Sequence, residues 1–131
     1  MHLKQKDTCK PQMTGVVKFN SGDSSDSWTW YVRGGRHYSE ECEGTAYKDD
    51  LFYGGKVRMA KEQWHVSYVF SGSSTPSPSA SSVGKFIGFK AMMYNHQVDG
   101  KTVVTTEIWI DRNPDSPTLK NNWAKVYTFT D

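Results

Sequence analysis

The sequence has no run of 18 apolar residues, so no segment reads as a membrane-spanning helix. It also lacks a strong excess of either charge: 16 Lys and Arg face 14 Asp and Glu, a net of +2. A nucleic-acid-binding surface needs a clustered basic face, and none is visible. No G-x-S-x-G, phosphate-loop or dinucleotide fingerprint occurs, so no cofactor is expected. The four His are dispersed and match no zinc spacing, so no metal is expected either. An apolar leader is missing from Met1-His2-Leu3-Lys4-Gln5-Lys6. Either a leader has been removed or the protein is cytosolic.

Cysteine is scarce as well. The two, Cys9 and Cys42, form no C-x-x-C motif. Joined as a disulfide they would tie the N-terminal arm to an early strand. Closing a loop of about 34 residues would contribute roughly 3–4 kcal/mol by restricting the unfolded chain. That reading favours a secreted, extracellular protein; the alternative is two separate buried thiols.

Aromatic residues are what the chain has in quantity. Five Trp, seven Tyr and six Phe make 14% of it, too many for a disordered segment. Its 131 residues suit one domain with one core, expected to span 1–131.

Nearly every segment reads as a strand. Val16 to Phe19 ends at the turn cluster Asn20-Ser21-Gly22-Asp23, and Ser27 to Arg33 alternates large and polar residues until Gly34-Gly35. Arg36 to Tyr47 reads as an irregular strand. Leu51-Phe52-Tyr53 and Val57-Arg58-Met59 flank Gly54-Gly55, a hairpin signal. Trp64 to Phe70 alternates as a single strand, with His65 and Ser67 on its polar side. Phe86–His96 runs into Asp99-Gly100 and returns as Thr102–Ile110; Trp123–Phe129 closes the set. Residues 71–82, rich in Ser and Pro, are expected to form a mobile surface loop within the domain. Only Lys61-Glu62-Gln63 suggests a turn of helix. About eight strands predict an all-β fold, a jelly roll or β-sandwich of two antiparallel sheets. An immunoglobulin-like sandwich is the competitor, but Cys9 lies too early for its Cys-Trp-Cys spacing.

On the predicted hairpin, Ile87, Phe89, Ala91, Met93, Ile108 and Ile110 fit a core face. Lys90, Met92, Tyr94, His96, Glu107, Trp109 and Asp111 then share the other face. Pyranose rings stack their C–H face on Trp or Tyr and offer hydroxyls to carboxylates and amides; a uronic acid adds a carboxylate for Arg or Lys. Lys90, Tyr94, His96, Glu107 and Trp109 are therefore candidate sugar-binding residues on a concave sheet face. The plainer alternative is that Tyr94 and Trp109 cover a sheet edge or pack under the Ser/Pro loop. Arg33-Gly34-Gly35-Arg36-His37, followed by Glu40, Glu41 and Glu43, reads either as the polar end of a groove, with Arg33 and Arg36 meeting anionic or hydroxyl groups, or as a solvated turn. His65 is a lone histidine with a structural or a ligand-binding role. Asp111-Arg112-Asn113-Pro114-Asp115 spaces oxygens as calcium loops do, but its Pro and the missing downstream Glu make it an ordinary loop.

Gly88-Phe89-Lys90-Ala91-Met92-Met93-Tyr94-Asn95-His96-Gln97 resembles the Tyr-Phe-Lys-Ala-Gly-x-Tyr-x-Gln block of alginate-lyase-type polysaccharide lyases, and Gln63-Trp64-His65 resembles their Gln-x-His strand. Arg36 stands where their first Arg/Glu strand falls. The resemblance implies a concanavalin-like jelly roll holding a uronate polymer, with Arg36 and Gln63 neutralising the carboxylate, His65 taking the proton and Tyr94 acting as acid, or as both base and acid. The first block lacks the Arg-x-Glu-x-Arg alternation, and Met92 replaces a glycine beside the tyrosine. Arg33–His37, His65–Phe70, Gly88–Ala91 and Asn122-Trp123 also look like a group of small secreted jelly-roll proteins of unsettled function. The leading expectation is a carbohydrate-binding domain with a polysaccharide partner. A polysaccharide lyase and a structural or protein-interaction β domain are the alternatives.

Overall fold

Alternating side chains give each short segment one face to bury, and eight segments among the described residues use that face as strands. The computed structural model describes residues 12–32, 34, 45–64, 67–74 and 81–131. The strands are β1 (Gln12–Lys18), β2 (Ser27–Val32), β3 (Ala46–Phe52), β4 (Val57–Trp64), β5 (Ser67–Ser74), β6 (Phe86–Val98), β7 (Lys101–Asp111) and β8 (Ala124–Thr130). They form two four-stranded antiparallel sheets, ordered β1-β6-β7-β8 and β2-β3-β4-β5. The chain is thus the all-β sandwich expected from its sequence. Along the described strands it changes sheet twice, after β1 and after β5. Among the described residues no helix is long and apolar enough to cross a membrane.

Three expectations change in detail. The alternating stretch Trp64–Phe70 is not one strand: it contains the end of β4 and the start of β5. Lys61-Glu62-Gln63 is extended within β4, because the β3 and β5 ladders on either side take its backbone groups. Ser71–Ser74, expected in the mobile loop, belong to β5 and pair with β4 at Arg58↔Ser73 and Val57↔Ser74. Ser82, at the loop's other end, is buried, and its amide donates to the Tyr53 carbonyl at 2.7 Å. Cys9, Arg33, Arg36, Cys42 and His65 lie outside the described residues, and with them the expected disulfide and the Arg36–Tyr47 strand up to residue 44.

The two inward faces supply the core. Leu51, Val57, Met59, Phe89 and Ile108 are fully buried. The Trp30 ring of one sheet stacks on Phe89 of the other, centroids 6.0 Å apart and planes 24° from parallel. Gly15 makes room for that indole, since a Cβ there would stand 2.9 Å from it. Phe19 and Tyr53 stack at 3.9 Å just beyond β1 and β3. Elsewhere the sheets are joined by Asp131, which follows β8. Its backbone exchanges two hydrogen bonds with Val104, and its carboxylate accepts from the Tyr47 hydroxyl at 2.7 Å and pairs with Lys61.

On β3 one inward residue is acidic. Asp49 alternates with Leu51 on β3, sits opposite Trp30 and Met59, and is 0% exposed. Neither of its carboxyl oxygens has a hydrogen-bond partner. Burial, and next the charge of Asp50, push its pKa up to about 8.

Gly15→Val should destabilise the fold by about 1–3 kcal/mol in a denaturant titration, because the new methyls displace the Trp30 ring. Asp49 supplies a pH test. Unfolded, it titrates near 3.8; folded, near 8. Between those values the folded state holds the proton that the unfolded state has lost, so stability falls as pH rises. Thermal melts should therefore drop across that window, and Asp49→Asn should flatten the dependence.

Candidate functional site

The face expected to carry function is set by the β6–β7 ladder, which runs without interruption from Gly88↔Asp111 to Val98↔Lys101. Its turn, Asp99-Gly100, has φ of 49° and 75°, the paired positive values of a two-residue hairpin turn whose twist matches the strands. With the register fixed, Ile87, Phe89, Ala91 and Met93 are buried inward, while Lys90, Met92, Tyr94 and His96 are half-buried on the outer face. Trp109 lies opposite Lys90, and Glu107 opposite Met92.

Glu107 organises this face. Only 9% exposed, its carboxylate accepts from the Tyr94 hydroxyl at 3.3 Å and from Trp109 Nε1 at 3.1 Å, and pairs with Lys125 Nζ at 3.1 Å. Three donors hold one buried acceptor group, so the rings of Tyr94 and Trp109 are fixed on the same side of the sheet. Lys125 reaches them because the β7–β8 register shifts between Ile108 and Trp109, and its ammonium stands 5.6 Å from the Trp109 ring. These three contacts make Glu107 the residue that positions the groups around it.

A third ring completes the row. Trp123 lies over Gly88, where a Cβ would come within 2.9 Å of the indole, and Lys90 Nζ stands 4.3 Å above its ring centre. Asp111 holds the intervening loop by accepting from the amides of Asn113 at 3.0 Å and Asn121 at 2.6 Å. That accounts for the acidic spacing after β7 as loop architecture. No group of three or more His, Cys, Asp and Glu suited to a metal occurs among the described residues. His96 packs beside Tyr94, ring centres 5.7 Å apart, with its Nδ1 buried and unbonded.

Of the residues anticipated on this surface, Lys90, Tyr94, His96, Glu107 and Trp109 therefore come together. Trp123 and Lys125 join them without having been singled out as ligand contacts. In sequence Trp123 reads only as the start of the last strand, and Lys125 depends on a register shift that no local pattern signals. Gln63 does not join them: it is exposed on β4, in the other sheet. Of the four residues needed for the lyase chemistry, Arg36 and His65 lie outside the described residues, while Gln63 and Tyr94 stand on different sheets.

Replacing Glu107 by Ala should cost about 2 kcal/mol, since it strands a half-buried indole N–H and a hydroxyl. Near-ultraviolet circular dichroism should report the loosened Trp109, and Glu107→Gln, whose amide oxygen can still accept from the indole while its NH2 donates to the Tyr94 hydroxyl oxygen, should be milder. No protein-family model, curated protein or solved structure matches the chain.

Proposed function

We propose that the protein is a carbohydrate-binding domain that holds a polysaccharide along the outer face of the β1-β6-β7-β8 sheet. The observation that carries this reading is the row of Tyr94, Trp109 and Trp123, held on one side of a rigid sheet by Glu107 and by the space over Gly88. Aromatic rings that are only half-buried, yet locked in place, present flat apolar surfaces to the solvent side. Pyranose C–H faces stack on such surfaces, and locked rings lose little freedom on binding.

The row is long enough for a chain rather than a single sugar. Tyr94 and Lys90, the cross-strand partner of Trp109, are four residues apart on β6, about 13 Å at the rise of a strand. Exposed Phe86 and Val16 extend the apolar surface towards β1. Polar groups interleave with the rings: the Lys90 ammonium, the His96 imidazole and the hydroxyl pair Thr105–Thr130, whose oxygens lie 2.7 Å apart. Such groups suit hydroxyls and the carboxylates of acidic sugars.

Affinity electrophoresis and titration calorimetry against a panel of neutral and acidic polysaccharides test the reading. Retention of the wild type is expected, with Trp109→Ala and Tyr94→Ala each weakening it at least tenfold, about 1.4 kcal/mol. No retention across a broad panel would overturn the proposal. Unsaturated products absorbing in the ultraviolet would replace it with the lyase.

A further inference from the structure

The pairing of β1 with β6 uses one edge of β1, and among the described residues no strand lies along the other. With a single neighbour, alternate residues of a strand point their N–H and C=O groups away from it. Proteins normally blunt such an edge with charge, proline, a bulge or a very short strand. The opposite edge of the same sheet is blunted. The β7–β8 register shifts between Ile108 and Trp109, and charges flank β8, Lys125 paired with Glu107 and Asp131 with Lys61. β1 carries none of these devices. It is seven residues long, keeps one register throughout, contains no proline, and holds its one charge, Lys18, at its end. The adjacent edge strand of the other sheet, β2, whose Trp30 indole reaches Gly15, has no charged residue at all. Val16 on β1 and Tyr31 on β2 are 54% and 51% exposed.

The strand is also complementary to itself. About a two-fold axis through Gly15, Thr14 meets the partner's Val16, Met13 the partner's Val17, and Gln12 the partner's Lys18. Each pair joins residues of one face: Gln12, Thr14, Val16 and Lys18 are exposed outer residues, while Met13 and Val17 are half-buried inner ones. The two Lys18 fall at opposite ends, about 20 Å apart, so no like charges meet.

We propose that β1 is a dimerisation edge, where a second copy of this chain pairs its own β1 antiparallel and joins the two β1-β6-β7-β8 sheets into one. A two-fold pair is the commonest homo-oligomer and needs only one self-complementary patch. It also covers the open edge on both chains at once. Because the axis stands perpendicular to the sheet, the outer faces of both copies lie on the same side. On the glycan reading above, two rows of rings then meet one polymer and strengthen its retention; the pairing itself does not depend on that reading.

Sedimentation velocity on the full chain, from low micromolar to about millimolar concentration, reads the pairing. A monomer–dimer equilibrium with a Kd of about 10–100 μM is expected, as a narrow interface gives. Thr14→Glu with Val16→Glu sets like charges opposite each other twice and should raise Kd at least about tenfold. Thr14→Glu with Val16→Lys sets opposite charges at the same points and should return Kd to within about threefold of wild type. Both positions are exposed, so thermal melts should stay close to wild type. Should the double glutamate variant fail to fold, wild-type amide exchange decides: alternate β1 amides must gain protection as concentration rises, and those of β8 must not. A wild-type monomer at about millimolar concentration, a dimer untouched by the two glutamates, or no recovery with the mixed pair would overturn the proposal. Failure to retain polysaccharide bears on the glycan reading alone.

Discussion

A one-residue slip of β7 against β6 would exchange the two faces of β7. Glu107 and Trp109 would turn inward, away from Tyr94, and Thr106 and Ile108 would meet solvent. The unbroken ladder from Gly88↔Asp111 to Val98↔Lys101 prevents this, and the Asp99-Gly100 turn at its end admits only one register. The core, the aromatic row and the attachment of β1 and β8 on either side all inherit their geometry from that pairing.

How much was legible follows from the same physics. β6 and β7 could be read directly, because strict alternation and a two-residue turn signature are local properties. So could the hairpin at Gly54-Gly55, which joins β3 to β4. The break between β4 and β5 could not, since alternation continues through the reversal and gives no signal there. Nor could the inclusion of Ser71–Ser74 in β5. A ladder needs only backbone groups, and β4 supplies them whatever side chains the partner carries. Lys48-Asp49-Asp50 looks like a solvated run, but its direction is fixed by Leu51. Once Leu51 faces the core, period two sends Asp49 inward as well. Trp123 and Lys125 reach the aromatic row through a loop and a register shift, both matters of tertiary structure.

The acidic residues show how differently a sandwich treats buried charge. Glu107 has three donors. Asp50 accepts from the Thr29 hydroxyl at 2.6 Å and pairs with Arg58 at 2.7 Å. Asp111 holds two loop amides, and the Glu62 carboxylate meets Lys48 at 3.0 Å. Each is compensated for its lost hydration. Asp49 has no such compensation, and it is also the one among them that faces the space between the sheets. The interior is therefore polar at one level, although the residues further along β3, β4 and β7 are apolar.

The route of the chain bears on how the molecule assembles. β1 and its partner β6 are separated in sequence by the whole β2–β5 meander. A sheet edge that waits for a distant partner carries a large loop-closure penalty, and such non-local pairing slows folding. The β2–β5 meander needs only neighbours, so it can gather first while Met13, Gly15 and Val17 are still uncovered. Until β6 pairs with it, β1 keeps an open edge that could template association with other chains.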